Sequence, residues 1–221
     1  MNSDSIARTV AEVRQTFNRG KTRPYAWRLG QLQALHRMIE ENTDEIIKAL
    51  KADLGKPTFE AWAAEIGVAL RDIKEVMRAL KSWMKPDRVS TPLVTQPGTS
   101  RQYKDPLGVI LIIAPWNYPF NLVIAPLMGA IAAGNTAVIK PSEISVNTSK
   151  MIATLLPRYL DNEAIKVVEG GVPETTALLA ERFDHIFYTG NGHVARIIRA
   201  AAAKNLTPVT LELGGKSPVY I

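Results

Sequence analysis

The first half of the chain alternates apolar and polar residues with the period of an α-helix. Ile6, Val10 and Val13 recur at spacings of three and four behind the cap candidates Ser3 and Asp4, which predicts a first amphipathic helix. Two longer apolar stripes follow: Trp27, Leu32, Leu35, Met38 and Ile39, and then, behind Pro57, Phe59, Trp62, Ile66, Leu70, Ile73, Val76, Met77 and Leu80. Such stripes are typical of helices that bury one face in a core.

The helical pattern is interrupted twice. Asn42 with Glu45 three residues later has the spacing of a capping box and predicts a short helix between the two stripes. Residues 85–100 are rich in Pro, Ser and Thr, which predicts the end of the helical part, and residues 100–105 resemble a short polar edge strand. We therefore assign residues 1–105 to an N-terminal helical segment and arm.

After Pro106 the pattern changes to short apolar runs that alternate with helical patterns. The strand candidates are GVILIIAP, TAVIKPS, IKVVEGG, DHIFYTG and TPVTLELGG. The first is continuously apolar, as expected for a strand that is covered on both faces. Strands that alternate with helices of this length predict βαβ units and an α/β fold with a doubly wound, mainly parallel sheet. We assign residues 106–221 to one Rossmann-like domain.

Composition narrows the class of protein. Hydrophobic residues make up 46% and charged residues 22% of the 221 residues, which is typical of a chain that buries a core. The net charge is +6, but the basic residues are interleaved with acidic ones, so no nucleic-acid partner is predicted. The N-terminus lacks the pattern of a signal peptide, and no apolar run approaches the ~20 residues that span a bilayer. These features predict a cytoplasmic protein.

Cysteine is absent from the sequence. Disulfides, Cys-based zinc sites and a cysteine nucleophile are therefore excluded within these residues. The histidines His36, His185 and His193 lack metal-ligand spacing, so we predict structural or solvent roles for them and no metal site.

Chemically distinctive residues follow four of the predicted strands. Since ligands of open α/β sheets bind beyond the carboxyl ends of the strands, we expect these residues to share one site. Asn117, held between prolines and aromatic residues in PWNYP, is suited to donate a preorganised N–H to an oxyanion, and the alternative is a cap of the next helix. Lys140 in IKPSE is suited to bond ribose hydroxyls or a phosphate, with Glu143 as an acceptor. The alternative is a surface charge beside a helix cap.

The last two strands end in turns that contain glycine. Gly190 and Gly192 lie between a strand and a helix, where free N–H groups bind phosphate, but Ala195 replaces a third glycine and a plain tight turn explains them equally well. Glu212 lies in an apolar strand, where burial makes a carboxylate a usable general base. The alternative is a buried carboxylate bonded to neighbouring amides. Gly214 leaves room for a flat ring.

Four motifs, PWNYPFNL, AAGNTAVIKPSE, GGVPETTALLAERFDHIFYTG and AAAKNLTPVTLELGGKSP, together resemble those of the NAD(P)-dependent aldehyde dehydrogenases. The chain is similar to the class 3, fatty-aldehyde branch in particular, and the resemblance extends over its whole length. It implies NAD or NADP as the cofactor, an aldehyde substrate and a homodimer to which residues 95–105 contribute an arm. The implied reaction oxidises the aldehyde to a carboxylic acid through a cysteine thiohemiacetal and a thioester.

The resemblance also implies roles for individual residues. Asn117 would donate to the oxyanion of the thiohemiacetal, and Glu212 would activate water to hydrolyse the thioester. Lys140 and Glu143 would hold the adenosine ribose. The other cofactor contacts would come from Trp116, Gly190, Asn191, Gly192, His193, Val194, Ala195, Leu213 and Gly214.

Two departures from the family pattern change what we expect of this chain. The family's turn more often reads Thr-Gly-Ser with a following Gly, so Asn191 leaves the choice between NAD and NADP open. The nucleophilic cysteine and a later Glu-Phe motif lie downstream of the ELGG strand in the family and are not among these residues. We therefore expect the cofactor-binding half of an aldehyde dehydrogenase, inactive on its own. Part of the family attaches to membranes through a C-terminal tail, and these residues leave membrane anchoring open. The alternative is a naturally short, non-catalytic protein that keeps the nucleotide site or the arm for binding.

Overall fold

The computed structural model describes residues 2–220. The helices are α1 (Ser3–Asn18), α2 (Tyr25–Glu41), α3 (Thr43–Leu54), α4 (Thr58–Ala61), α5 (Gly67–Trp83), α6 (Asn121–Ala133), α7 (Val146–Tyr159), α8 (Val172–Ala180) and α9 (Gly192–Ala203), with a π-helical turn at Trp62–Ile66 and a 3-10 turn at Leu93–Thr95. The strands are β1 (Asp87–Val89), β2 (Ser100–Gln102), β3 (Val109–Ile113), β4 (Thr136–Lys140), β5 (Ile165–Val167), β6 (His185–Gly190) and β7 (Val209–Leu213). The predicted α/β fold is confirmed.

Five parallel strands form the central sheet in the order β5-β4-β3-β6-β7. The chain proceeds outward from β3 to β5 and then returns to place β6 on the other side of β3. The strand order therefore reverses between β3 and β6, and the loops that leave these two strands diverge there. Strands β1 and β2 form a separate antiparallel ribbon, in agreement with the edge strand predicted at residues 100–105.

Helices cover both faces of the central sheet. On one face, α2, α3, α5, α6 and α7 pack against β3 and β4 in one apolar core, to which Leu35, Ile73 and Leu127 contribute. On the other face, α1, α8 and α9 pack against the sheet through residues that include Val13 and Ile198. Each core therefore combines residues from before and after position 105, because helices from residues 1–105 pack onto both faces of the sheet. Our division of the chain at that residue stays a prediction.

The start of α1 differs from the sequence prediction by one position. Asn2 caps the helix, and its Oδ1 accepts a hydrogen bond from the Ser5 N–H at 2.9 Å. Ser3 and Asp4 already lie in the first turn. The prediction was wrong because three consecutive polar residues suit a cap equally well by residue type.

The capping box predicted at the start of α3 does not form. Asn42 is the single residue between α2 and α3, and its side-chain amide points back along the chain. It donates to the carbonyl oxygen of Met38 at 2.7 Å and to the hydroxyl of Tyr159 at 3.0 Å. The amide is thus used to bridge two helices and not to cap one.

The apolar stripe behind Pro57 does not belong to one continuous helix. A wide π-helical turn separates α4 from α5 and changes the direction in which the preceding residues point. Phe59 is 80% exposed and Trp62 51% exposed, contrary to the prediction that the whole stripe joins the core. The predicted core residues that are buried from this turn onward are Ile66, Ile73 and Leu80.

No helix between residues 2 and 220 combines the length and the apolar character that crossing a bilayer requires.

Candidate functional site

A cavity of about 1380 Å³ lies beside the sheet where the strand order reverses, and it reaches the carboxyl ends of β3, β4, β6 and β7. It is lined by these predicted site residues: Trp116, Asn117, Lys140, Glu143, Gly190, Asn191, His193, Val194, Glu212, Leu213 and Gly214. Two predicted residues lie outside the lining. Gly192 is the first residue of α9, and Ala195 is buried in the core below it. The structure therefore brings most of the predicted residues together, while their individual roles stay predictions.

Residues 114–120, which we call the Asn117 loop, connect β3 to α6. Asn117 is exposed, and its side chain has no hydrogen-bond partner within residues 2–220. It does not cap α6, so that alternative is wrong. The cap comes from Glu65, whose Oε2 accepts from the N–H groups of Phe120 at 2.9 Å and Asn121 at 3.1 Å. Asn117 thus lines the cavity with the donors of its side-chain amide available.

Sequence reasoning missed the charged pair that supports this loop. The Lys56 Nζ lies 2.5 Å from Glu65 Oε1 and donates to the Asn117 carbonyl oxygen at 2.9 Å. Lys56 is 7% exposed and Glu65 is fully buried. Helical spacing gives no signal for this pair, because the π-helical turn sets the direction of Glu65.

Lys140 ends β4 and is 3% exposed, so the alternative of a surface charge is wrong for it. Its Nζ donates to Glu143 Oε2 at 2.7 Å and to the Gly170 carbonyl oxygen at 3.0 Å. Partial burial opposes ionisation of Glu143, but the hydrogen bond from Lys140, the Glu143 backbone N–H and the charge of Lys140 together outweigh it and hold the pKa of Glu143 below its ordinary value. The two residues present an ammonium and a half-exposed carboxylate to the cavity, a combination suited to hydroxyl groups.

The turn between β6 and α9 forms a helix start that is suited to an anion. Asn191 caps α9, since its Oδ1 accepts from the Val194 N–H at 3.0 Å. The backbone N–H groups of Gly192 and His193 precede the first full helical turn, so that no intrahelical acceptor is available to them. A Cβ on Gly192 would meet only the Arg196 Nη1 at 3.7 Å, an ordinary contact. The turn therefore combines free donors with the positive end of a helix dipole.

The glycine at position 190 is explained by a contact within the chain, without a ligand. A Cβ at this position would collide with the hydroxyl group of Tyr188, which donates to the Asn191 carbonyl oxygen at 3.3 Å. Burial raises the pKa of Tyr188, which keeps this hydroxyl a donor. The chain's own Tyr188 thus disfavours a larger residue at position 190, which is compatible with the tight-turn alternative, and a ligand contact at Gly190 stays a prediction.

Glu212 is exposed at the edge strand β7, so the burial on which both of its sequence interpretations depended is not present in the described residues. Glu212 is nevertheless one of the residues that line the cavity. Leu213 is 48% exposed, and a Cβ on Gly214 would meet no heavy atom within 4 Å. Sequence reasoning overestimated burial here because an apolar pattern indicates a face to be covered and does not supply the covering element.

His185 also lines the cavity, although no chemical role was predicted for it from the sequence. Its Nε2 lies 3.0 Å from the hydroxyl oxygen of Thr210 on β7, and its Nδ1 has no partner within residues 2–220. Burial lowers the pKa of His185 below its ordinary value of 6.5. The folded chain therefore holds a neutral imidazole at a pH where the unfolded chain binds a proton.

This difference predicts a pH dependence of stability. As the pH falls through 6.5, the unfolded state gains a proton that the folded state excludes, so the free energy of unfolding decreases. We expect His185→Gln to remove this part of the slope, measured by urea unfolding on both sides of that pH. His193→Gln, at an exposed position, is the control for the loss of a histidine as such. An equal slope in the wild type and His185→Gln would contradict the assignment.

A doubly wound parallel sheet with a polar-rimmed cavity at its switch point places the chain among the α/β proteins that bind ligands beyond the carboxyl ends of their strands. A family model described as the aldehyde dehydrogenase family matches residues 1–221, and the chain belongs to this family. It is 50% identical over 217 residues to the "Aldehyde dehydrogenase, dimeric NADP-preferring" of Rattus norvegicus, which covers 98% of this chain and 48% of that protein.

Two further comparisons agree with this assignment. The "Aldehyde dehydrogenase family 3 member A2" of Macaca fascicularis is 52% identical, over 98% of this chain and 44% of that protein. A solved structure, the substrate-bound state of Staphylococcus aureus AldH, superposes with a TM-score of 0.94 at 46% identity, over 96% of this chain and 46% of that one. The chain thus spans about half the length of the relatives it matches, and the class 3 resemblance is confirmed.

Proposed function

We propose that this chain forms the dinucleotide-binding half of an NAD(P)-dependent aldehyde dehydrogenase, which oxidises an aldehyde to a carboxylic acid. The observation that carries the proposal is the cavity at the switch point, where the buried Lys140 and the start of α9 meet in a member of this family. One of the relatives above is NADP-preferring by name. We leave both dinucleotides as candidates, because Asn191 departs from the usual turn.

The residues fit a dinucleotide in three places. The Lys140 ammonium and the Glu143 carboxylate offer a donor and an acceptor to ribose hydroxyls. The N–H groups at the start of α9 offer donors to a pyrophosphate, and the unused Asn191 Nδ2 adds a further one. The open space beside Gly214 admits a flat ring. Bound nicotinamide supplies hydride acceptance, which no amino-acid side chain provides.

The substrate end of the cavity is assigned to two residues of this chain. Asn117 would donate its side-chain N–H to the oxyanion that forms when a nucleophile adds to the aldehyde carbonyl. Glu212 would accept a proton from the water that releases the acid, once a covering element lowers its exposure. The nucleophile itself is proposed to be a cysteine beyond these 221 residues, since the sequence contains none.

Titration with NADH and NADPH tests the binding half of the proposal. We expect the reduced nicotinamide fluorescence to change saturably on addition of the chain, and failure to bind either dinucleotide would reject the proposal. The natural gene product, expressed to its own stop codon, is then tested for reduction of NAD(P)⁺ with aliphatic and aromatic aldehydes. Binding without oxidation would favour the alternative of a short, non-catalytic nucleotide-binding protein. The homodimer and the cytoplasmic location stay predictions of the sequence.

A further inference from the structure

A buried ion pair lies directly behind the Asn117 loop and has no part in the proposed reaction. Both oxygens of Glu65 are used, Oε1 by the Lys56 ammonium and Oε2 by the first N–H groups of α6. The Lys56 ammonium has two further contacts, the Asn117 carbonyl oxygen at 2.9 Å and the ring of Tyr118, whose centroid is 3.9 Å away. One ammonium thus joins the π-helical turn to two consecutive residues of the loop.

Stability alone does not account for this arrangement. Burying two charges carries a large desolvation cost, and apolar residues of similar volume often stabilise a fold equally well. An apolar pair, however, has no donor for the Asn117 carbonyl oxygen. What the charged pair supplies is a fixed direction for one peptide group in a loop that is otherwise exposed from Trp116 to Tyr118.

The loop has a second anchor on its other side. The Ser145 hydroxyl donates to the Trp116 carbonyl oxygen at 3.0 Å. The peptide groups of Trp116 and Asn117 are therefore held by donors from two different segments, Ser145 at the start of α7 and Lys56 between α3 and α4. A side chain that projects from a backbone held in this way starts from a defined position, which a preorganised donor needs.

We propose that Lys56 and Glu65 are positioning residues, which act as one buried pair to hold the Asn117 loop so that the Asn117 amide points into the cavity. This inference rests on the proposed function in one respect only, the use of the Asn117 amide as a donor to an oxyanion. The positional part is a property of this chain and is measurable without cofactor or substrate.

The test uses Lys56→Met, Glu65→Gln and the double variant. Each single variant leaves a buried charge without its partner, so both are expected to lose stability. The double variant contains no lone charge and keeps an amide oxygen for the α6 N–H groups, so its free energy of unfolding should recover relative to the single variants. The loop should not recover, because no donor reaches the Asn117 carbonyl oxygen.

Backbone ¹⁵N relaxation of Asn117 and Tyr118 in this chain reports the position of the loop. We expect these amides to be ordered in the wild type and to gain mobility in all three variants. Asp161→Asn is the control for a loss of stability that does not involve the loop. Asp161 forms an ion pair with Lys21 and accepts a hydrogen bond from the Trp27 indole, away from the cavity. It should lower stability and leave the loop amides unchanged. Recovery of loop order together with stability in the double variant would overturn the proposal, as would unchanged loop amides in all three variants.

A kinetic measurement extends the test to the natural gene product. If the pair positions Asn117 for chemistry, the double variant should lose kcat by about 10-fold or more, because small displacements of a catalytic group are costly, while the KM for the dinucleotide changes by less than about 3-fold. Equal kcat losses in Asp161→Asn and the double variant would contradict the positioning role. Absence of dinucleotide binding or aldehyde oxidation in the unmodified protein would reject the proposed function and leave the relaxation result standing.

Discussion

Lys140→Met is expected to weaken NAD(P)H binding by about 10- to 100-fold. The Lys140 ammonium is buried at the end of β4 and already has a carboxylate and a carbonyl oxygen as partners, so its direction is fixed before a ligand arrives. A hydrogen bond to a charged group contributes about 1.5–3 kcal/mol, and about 1.4 kcal/mol corresponds to a tenfold change in affinity. Methionine keeps most of the volume and removes the donor. Fluorescence titration of the chain with NADH and NADPH measures the effect.

The matched control is Lys166→Met on the neighbouring strand β5. Lys166 pairs with Glu12 at 3.1 Å and does not line the cavity, so its loss should change dinucleotide affinity by less than about 2-fold. Circular dichroism and urea unfolding show whether each variant is folded at the temperature of the titration. Equal affinity in Lys140→Met and the wild type would remove Lys140 from the proposed ribose site.

Gly134→Ala is expected to destabilise the chain by about 3 kcal/mol, because left-handed strain adds to a steric clash. Gly134 ends α6 with a φ of 86°, a conformation that favours glycine. A Cβ there would lie 2.5 Å from the guanidinium carbon of Arg28. This guanidinium cannot move away freely, because Arg28 is 6% exposed and donates to the carbonyl oxygens of Arg23 and Ala132, each at 3.1 Å.

Gly55→Ala separates the two causes. Gly55 ends α3 in the same left-handed region, with a φ of 67°, but no heavy atom lies within 4 Å of its added Cβ. It should cost only about 1 kcal/mol, measured by urea unfolding. In the double variant Arg28→Met and Gly134→Ala, the loss should be smaller than the sum of the single losses, because the shorter side chain removes the clash. Equal losses for Gly55→Ala and Gly134→Ala would show that Arg28 yields without cost.

The order of the strands and helices after Pro106 was predictable from the sequence, and so was the grouping of Asn117, Lys140 and Glu212 beside one cavity. The spacing of apolar residues along a segment distinguishes a helix from a strand, because each has its own side-chain period. Parallel strands then place their carboxyl ends at the same edge of the sheet, where ligands bind. The resemblance to the aldehyde dehydrogenases added the family, which the family model confirmed.

The sequence pattern did not reveal features that depend on contacts made in the folded chain. The cap of α6 comes from Glu65, which lies far from it in the chain, and no spacing rule connects the two. Gly190 is explained by the hydroxyl of Tyr188, a contact that needs the full turn geometry. Glu212 was expected to be buried, but the exposed edge of β7 leaves it uncovered in the described residues.

By itself the sequence determined the parallel α/β architecture and the strand ends at which polar residues collect, because both depend on the period of side chains along one segment. Only the tertiary structure decided that the strand order reverses between β3 and β6, and that a π-helical turn directs Glu65 toward α6. It also decided that Lys56 holds the Asn117 carbonyl oxygen. These features depend on contacts between segments that are remote in sequence, whose free energy is set by the packing of the whole chain and not by any local pattern.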